Sequence, residues 1–151
     1  MDAKVNWKGR MSFDGTAGSG FTLPIGTSPE SGGDEDGFRP MELLLVGLAS
    51  CSALDVISIL QKKRQNVTDF EVRVHGDRAE EHPKIFTTIE IEFIVTGREV
   101  DPIAVARAIE LSTTKYCSAH AMLSKSTRIE HKFSILEAEP LYPHSAPRNQ
   151  E

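Results

Sequence analysis

The chain has 151 residues, 39% hydrophobic and 26% charged, with 17 basic residues against 22 acidic ones for a formal charge of −5. That length suits one domain with one core, and the composition excludes a largely disordered or fibrous chain. The negative balance is the wrong sign for a protein that gains affinity by neutralising phosphates, so nucleic acid is not an expected partner.

The N-terminal Met1-Asp2-Ala3-Lys4 is not followed by the apolar run that a secretory signal needs, and a cytoplasmic location is expected. Residues 3–25 alternate with a period of two (Ala3, Val5, Trp7, then Phe13, then Phe21, Leu23, Ile25) and are broken by Gly15, Gly18 and Gly20. This predicts two or three short antiparallel strands. Residues 26–38 hold glycine, proline, serine and acidic side chains without periodicity and read as a mobile surface loop.

A helix is predicted over 40–64. Pro40 suits its first turn, Glu42 faces the positive end of its dipole, Lys62-Lys63-Arg64 complement the negative end, and Asn66 can stop it. Residues 41–60 are apolar on nearly every side, so the helix is either a bilayer span or buried in protein. Glu42 and Asp55 inside it, and its amphipathic neighbours, favour a buried central helix and no membrane. A chain this short has trouble covering such a helix all round, which favours a homodimer in which a partner supplies the missing wall.

After Asn66 a strand carries Phe70, Val72 and Val74 on one face. A polar stretch over 76–83 leads to a second strand with Ile89, Ile91, Phe93 and Val95, giving an expected antiparallel hairpin. A second helix starts with Asp101 as N-cap and Pro102 at its first position. Helical structure, as one helix or a tight helix-turn-helix, continues through Lys115-Tyr116-Cys117 to Leu123 before a last strand with Ile129, His131, Phe133 and Ile135. The expected organisation is a single domain over 1–136 and a loose, proline-bearing tail over 137–151.

Two cysteines, Cys51 and Cys117, are too few for a disulfide framework. They are either small core hydrophobes or a reactive pair, in which one thiolate attacks a peroxide oxygen and the other traps the sulfenic acid as a disulfide. A reactive thiol wants a nearby cation. Arg10 and Arg39 are the candidates, since arginine stays charged when buried and can bind a carboxylate at the same time, with Glu42 as the carboxylate that could hold one of them. Glu42 has a second reading as a helix cap and Arg39 as a solvated charge at the loop end.

Other constellations are weaker. Cys117 and His120 have C-x-x-H spacing, but no second pair completes a zinc set, so no metal or other cofactor is expected. His120 reads as packing near Cys117 or tuning it, and His131 as a hydrogen-bonded core histidine. Gly15, Gly18 and Gly20 lack the strand-to-helix setting of a phosphate cradle, and Glu90 with Glu92, on a strand's outer face, reads as a solvated edge.

The segment from Arg39-Pro40-Met41-Glu42 through Gly47-Leu48-Ala49-Ser50-Cys51-Ser52, followed by Lys115-Tyr116-Cys117-Ser118, closely resembles the OsmC/Ohr family, in particular its OsmC-like branch. The resemblance covers about residues 39–136. It implies an α+β fold with antiparallel sheets wrapped around long central helices in an intertwined homodimer, and active sites at the subunit boundary. It further implies a thiol-dependent peroxidase that reduces organic hydroperoxides in oxidative stress defence, with Cys51 as the attacking cysteine and Cys117 as the resolving one. A dihydrolipoyl protein or a thioredoxin-type dithiol would be the reductant. The family's glutamate directly follows the proline. Here Met41 stands in that place and Glu42 comes one residue later, about 100° around a helix. Arg10 is the nearest match to the family's arginine, and Arg39 competes with it. The alternative is a non-catalytic or sensing dimer of the same fold that binds a small apolar ligand and has structural cysteines.

Overall fold

The computed structural model describes residues 1–139, so the expected tail lies, from residue 140 on, outside the described residues. The element order is three short strands, β1 (Ala3–Gly9), β2 (Ser12–Ala17) and β3 (Thr22–Ile25), then a long helix α1 (Pro40–Lys62) and the strands β4 (Asn66–Arg78) and β5 (Phe86–Arg98). A helix α2 (Pro102–Leu111), a wide π-helical turn over Ser112–Tyr116, a short helix α3 (Ser118–Leu123) and a last strand β6 (Arg128–Glu137) complete it.

The helix α1 begins where expected. Arg39 is extended, Pro40 occupies the first position, and the Arg39 backbone N–H donates to the Glu42 carboxylate at 2.9 Å, satisfying one donor that the first turn leaves unpaired. Its end differs from expectation. Arg64 takes a left-handed conformation (φ 55°), the chain reverses there, and Asn66 opens β4 instead of stopping the helix.

One core joins α1, β5 and α2. From α1 come Leu48, Val56 and Leu60, from β5 Ile89, Ile91, Phe93 and Val95, and from α2 Ala104, Val105, Ala108 and Ile109, with Cys117 at its rim. The buried positions of α1 are Leu48, Ser52, Val56 and Leu60, a row four residues apart and therefore one narrow stripe. The rest of the helix is not wholly buried within this chain, since Leu44, Val46 and Leu54 are exposed. Among the described residues α1 is the helix long and apolar enough to cross a bilayer; here its stripe closes a protein core.

The sheets are β1-β2-β3, antiparallel throughout, and β4-β5-β6. The expected β4–β5 hairpin is present, but β6 lies parallel to β5, with Ile91 opposite His131 and Phe93 opposite Phe133. A parallel neighbour needs a crossover connection, and α2 and α3 are that connection. Two readings of side chains change as a result. His131 is exposed on this edge strand and not a core histidine, and β5, which carries Glu90 and Glu92, is the central strand.

The segment 26–38 is also more structured than its composition suggests. It folds through a turn at Pro29–Ser31, and Ile25 pairs with Phe38. At Gly33 the Thr27 carbonyl, and at Gly37 the backbone of Pro24 and Ile25, approach so closely that no side chain would fit. Asp34 and Asp36 in this segment hold Arg10 and Ser12 of the N-terminal sheet.

Gly47 sits in the interior of α1 with open space where a Cβ would be. Replacing it by alanine should stabilise the protein by about 0.5–1 kcal/mol through backbone entropy, read from urea unfolding. A loss of stability instead would mean that a second chain packs against this face.

Candidate active site

Cys51 and Asp55 are four residues apart on α1 and so share one of its faces. Cys117 arrives from the other side. The π-helical turn after α2 adds an extra residue to the turn, closes with the Cys117 N–H donating to the Ser112 carbonyl (2.8 Å), and leaves Cys117 as the N-cap of α3. Such π-turns recur where a helix is interrupted to aim side chains. Here the interruption turns Ser112 and Cys117 together toward α1, and the two sulfurs and an Asp55 oxygen all lie within 4.8 Å of one another.

The two thiols have unequal surroundings. Cys51 is half-buried and Cys117 is buried, 2% exposed; neither is in a disulfide. Cys117 Sγ lies 3.3 Å from the hydroxyl of Ser52, the polar member of the α1 stripe, and accepts the His120 backbone N–H at 3.3 Å. Burial pushes the Cys117 thiol up, the two donors partly offset that, and the neighbouring Cys51 raises it further by hydrogen bonding and charge. The two thiols are thus chemically unequal, and the Cys117 S–H can point at the Cys51 sulfur.

Asp55 accepts a hydrogen bond from the Ser112 hydroxyl at 3.1 Å. On its other side it borders a cavity of about 220 Å³ lined by Ser58, Ile59, Lys62, Leu111 and Tyr116. The His120 ring is held below its usual range, first by burial and then by repulsion from His131. Proximity of His120 to Cys117, expected from their spacing, is realised through the backbone N–H.

The remaining predicted site residues lie elsewhere within the chain. Arg39 pairs with Glu35 (3.5 Å) and Arg10, in the turn between β1 and β2, with Asp34 (3.2 Å), while Glu42 is exposed and caps α1. Among the described residues no hydrogen bond or ion pair joins Arg10, Arg39 or Glu42 to either cysteine. Ser52, Asp55 and Ser112 are the site residues that sequence reasoning passed over. The signal for Asp55 was available in its helical spacing from Cys51; that for Ser112 was not, because it depends on the π-turn.

The family model for OsmC-like proteins matches residues 32–132. The chain belongs to the OsmC family. It is 42% identical over 138 residues to Protein YhfA of Escherichia coli K12, a match covering 91% of this chain and 100% of that protein. A crystal structure of a hypothetical protein from Aquifex aeolicus VF5 superposes with a TM-score of 0.80 at 36% identity, covering 91% of this chain and 97% of the other. The organic hydroperoxide resistance protein OhrB of Bacillus subtilis has the same fold at 16% identity (TM-score 0.60; 89% and 98% covered). The OsmC-like α+β fold expected from the sequence is thus the fold observed, as a single chain.

Two measurements test the assignment of environments. Cys51→Ser should lower the pH at which Cys117 titrates, since it removes two raising influences. Ser52→Ala should raise it. Both shifts are read from iodoacetamide reactivity against pH. By linkage, a thiol raised in the folded state contributes stability that is fully present below its unfolded pKa and lost as pH climbs through the folded one. Glu42→Ala should cost about 0.5–2 kcal/mol of stability as a lost cap, and Glu42→Gln should recover most of it.

Proposed function

We propose that the protein is a thiol-dependent peroxidase that reduces organic hydroperoxides, with Cys51 attacking and Cys117 resolving. The observation that carries this reading is the approach of the two sulfurs to within 4.8 Å in unequal surroundings. Family membership supports it, since OsmC/Ohr proteins are often peroxidases. The Cys51 thiolate attacks the terminal oxygen of ROOH, the O–O bond breaks, and the alcohol ROH leaves after taking up a proton. The sulfenic acid on Cys51 is then attacked by Cys117, whose proton leaves with the displaced hydroxide as water, and a disulfide forms. The α-carbons of a bridged pair must come within roughly 7 Å, and the sulfurs start within 4.8 Å of each other. A dithiol, either a dihydrolipoyl protein or a thioredoxin-type protein of the cytoplasm, returns two electrons and two protons.

The catalytic unit in this reading is a homodimer, the state typical of the family. An ordinary thiol is only a few per cent ionised at neutral pH, so Cys51 needs a positive neighbour. Arg10 is carried in the turn of an N-terminal sheet whose Val5 and Trp7 are exposed (59% and 67%), as is Phe21 just before β3 (81%), and α1 presents Leu44, Val46 and Leu54 uncovered. A partner that covers both apolar faces would bring a guanidinium to Cys51 across the boundary, Arg10 being the better candidate and Arg39 the other, with Glu42 beside it. Leu44 and Leu54 stand on the same side of α1 as Cys51 and favour an alkyl peroxide over hydrogen peroxide.

The test is peroxide consumption by the reduced protein with a dithiol. Cumene hydroperoxide should be consumed faster than hydrogen peroxide, Cys51→Ser should abolish turnover, and Cys117→Ser should stop after one turnover with a sulfenic acid on Cys51. Arg10→Ala should lower the rate about 10²-fold as an electrostatic stabiliser is lost. Two inert thiols and no Cys51–Cys117 bridge after peroxide treatment would replace this reading with that of a non-catalytic dimer.

A further inference from the structure

The carboxylate of Asp55 has no part in the peroxide chemistry. A negative group beside two thiols opposes their ionisation, and among the described residues no ion pair neutralises it. Its presence within 4.8 Å of both sulfurs makes sense for a different ligand. We propose that Cys51, Asp55 and Cys117 form a three-ligand site for a thiophilic divalent cation of the zinc type, with the fourth position open. This inference is independent of the peroxidase reading, because it rests on the ligand set and not on redox turnover.

The donor types are those zinc takes: thiolate sulfur at about 2.3 Å and carboxylate oxygen at about 2.0–2.2 Å. Tetrahedral coordination at those lengths sets the sulfurs roughly 3.8 Å apart, within the 4.8 Å that already encloses all three donor atoms. The ligands are held by the backbone as a metal site requires. Cys51 and Asp55 share a face of a long helix, and Cys117 is fixed between the π-turn and the first turn of α3.

An outer ring of hydrogen bonds is also in place, of the kind that orients metal ligands. The Ser112 hydroxyl donates to Asp55, and the Ser52 hydroxyl and the His120 N–H lie on Cys117. Two thiolates and a carboxylate carry three negative charges, and a divalent ion leaves one, removing the repulsion that the bare cluster would suffer. This set differs from the Cys117/His120 spacing weighed on sequence, since the His120 ring is not a member.

The test uses the reduced, metal-free full chain under nitrogen. Cobalt(II) should bind one per chain with a thiolate-to-cobalt charge-transfer band that zinc abolishes by displacement, and zinc should protect both thiols from iodoacetamide. Asp55→Asn should weaken zinc binding by about tenfold or more while leaving the thermal melt of the metal-free protein unchanged. Zinc-edge X-ray absorption on the wild-type protein, which needs no variant, should give two sulfur and two oxygen or nitrogen neighbours. The proposal is overturned by the lack of a charge-transfer band, by thiols that stay reactive in zinc, or by zinc bound without two sulfurs. Undiminished affinity in Asp55→Asn would overturn it equally, since that result reduces the site to a bare dithiol. Failure of peroxide turnover would leave all these readouts unaffected.

Discussion

The seating of Cys117 against Ser52 and Cys51 is the contact on which the molecule's chemistry depends. A hydroxyl in the middle of a fully buried helical stripe is costly unless it is hydrogen-bonded. Ser52, flanked along that stripe by Leu48 and Val56, finds its partner in a sulfur that is itself buried. Each group therefore makes the burial of the other tolerable. The approach also fixes the register of α2 and α3 on α1, because only one placement of the π-turn brings Ser112 to Asp55 and Cys117 to Ser52 together.

From that seating follows a division of labour between two chemically identical side chains. Burial and the neighbouring thiol push the Cys117 thiol up, while Cys51 is half-buried and the one a solute can reach. The same geometry gathers three electron-pair donors within 4.8 Å of one another, so that the proposed peroxide and the proposed soft cation are alternative occupants of one place.

Local signals in the sequence described the elements well. Pro40 with Glu42 located the start of α1 and Asp101-Pro102 that of α2, because caps and fixed φ angles act within a few residues. Alternation located β4 and β5 because a half-buried strand records its faces directly. What was illegible depended on distant partners. The parallel placement of β6 is a property of the crossover, and the compact form of residues 26–38 comes from Asp34 and Asp36 reaching back to Arg10 and Ser12. Cys51 and Cys117 stood out as the chain's two cysteines and took their separate roles from family resemblance, whereas the Asp55 carboxylate beside them was readable from its spacing and was passed over as a charge in an apolar run.

The unfinished surfaces share one physical cause. An amphipathic helix needs a single apolar face, yet α1 is apolar nearly all round and this chain closes only the stripe from Leu48 to Leu60. The sheet β1-β2-β3 in turn leaves Val5 and Trp7 exposed, and the connection into β3 leaves Phe21 so. At about 25 cal/mol per Å² of apolar area, leaving a tryptophan, a phenylalanine and several leucines in water forfeits several kcal/mol, comparable to a domain's whole net stability. Surfaces so placed are stable when they cover each other across two chains. The turn that holds Arg10 would then travel with the sheet toward α1, so that the burial that completes the fold also delivers the charge that Cys51 lacks.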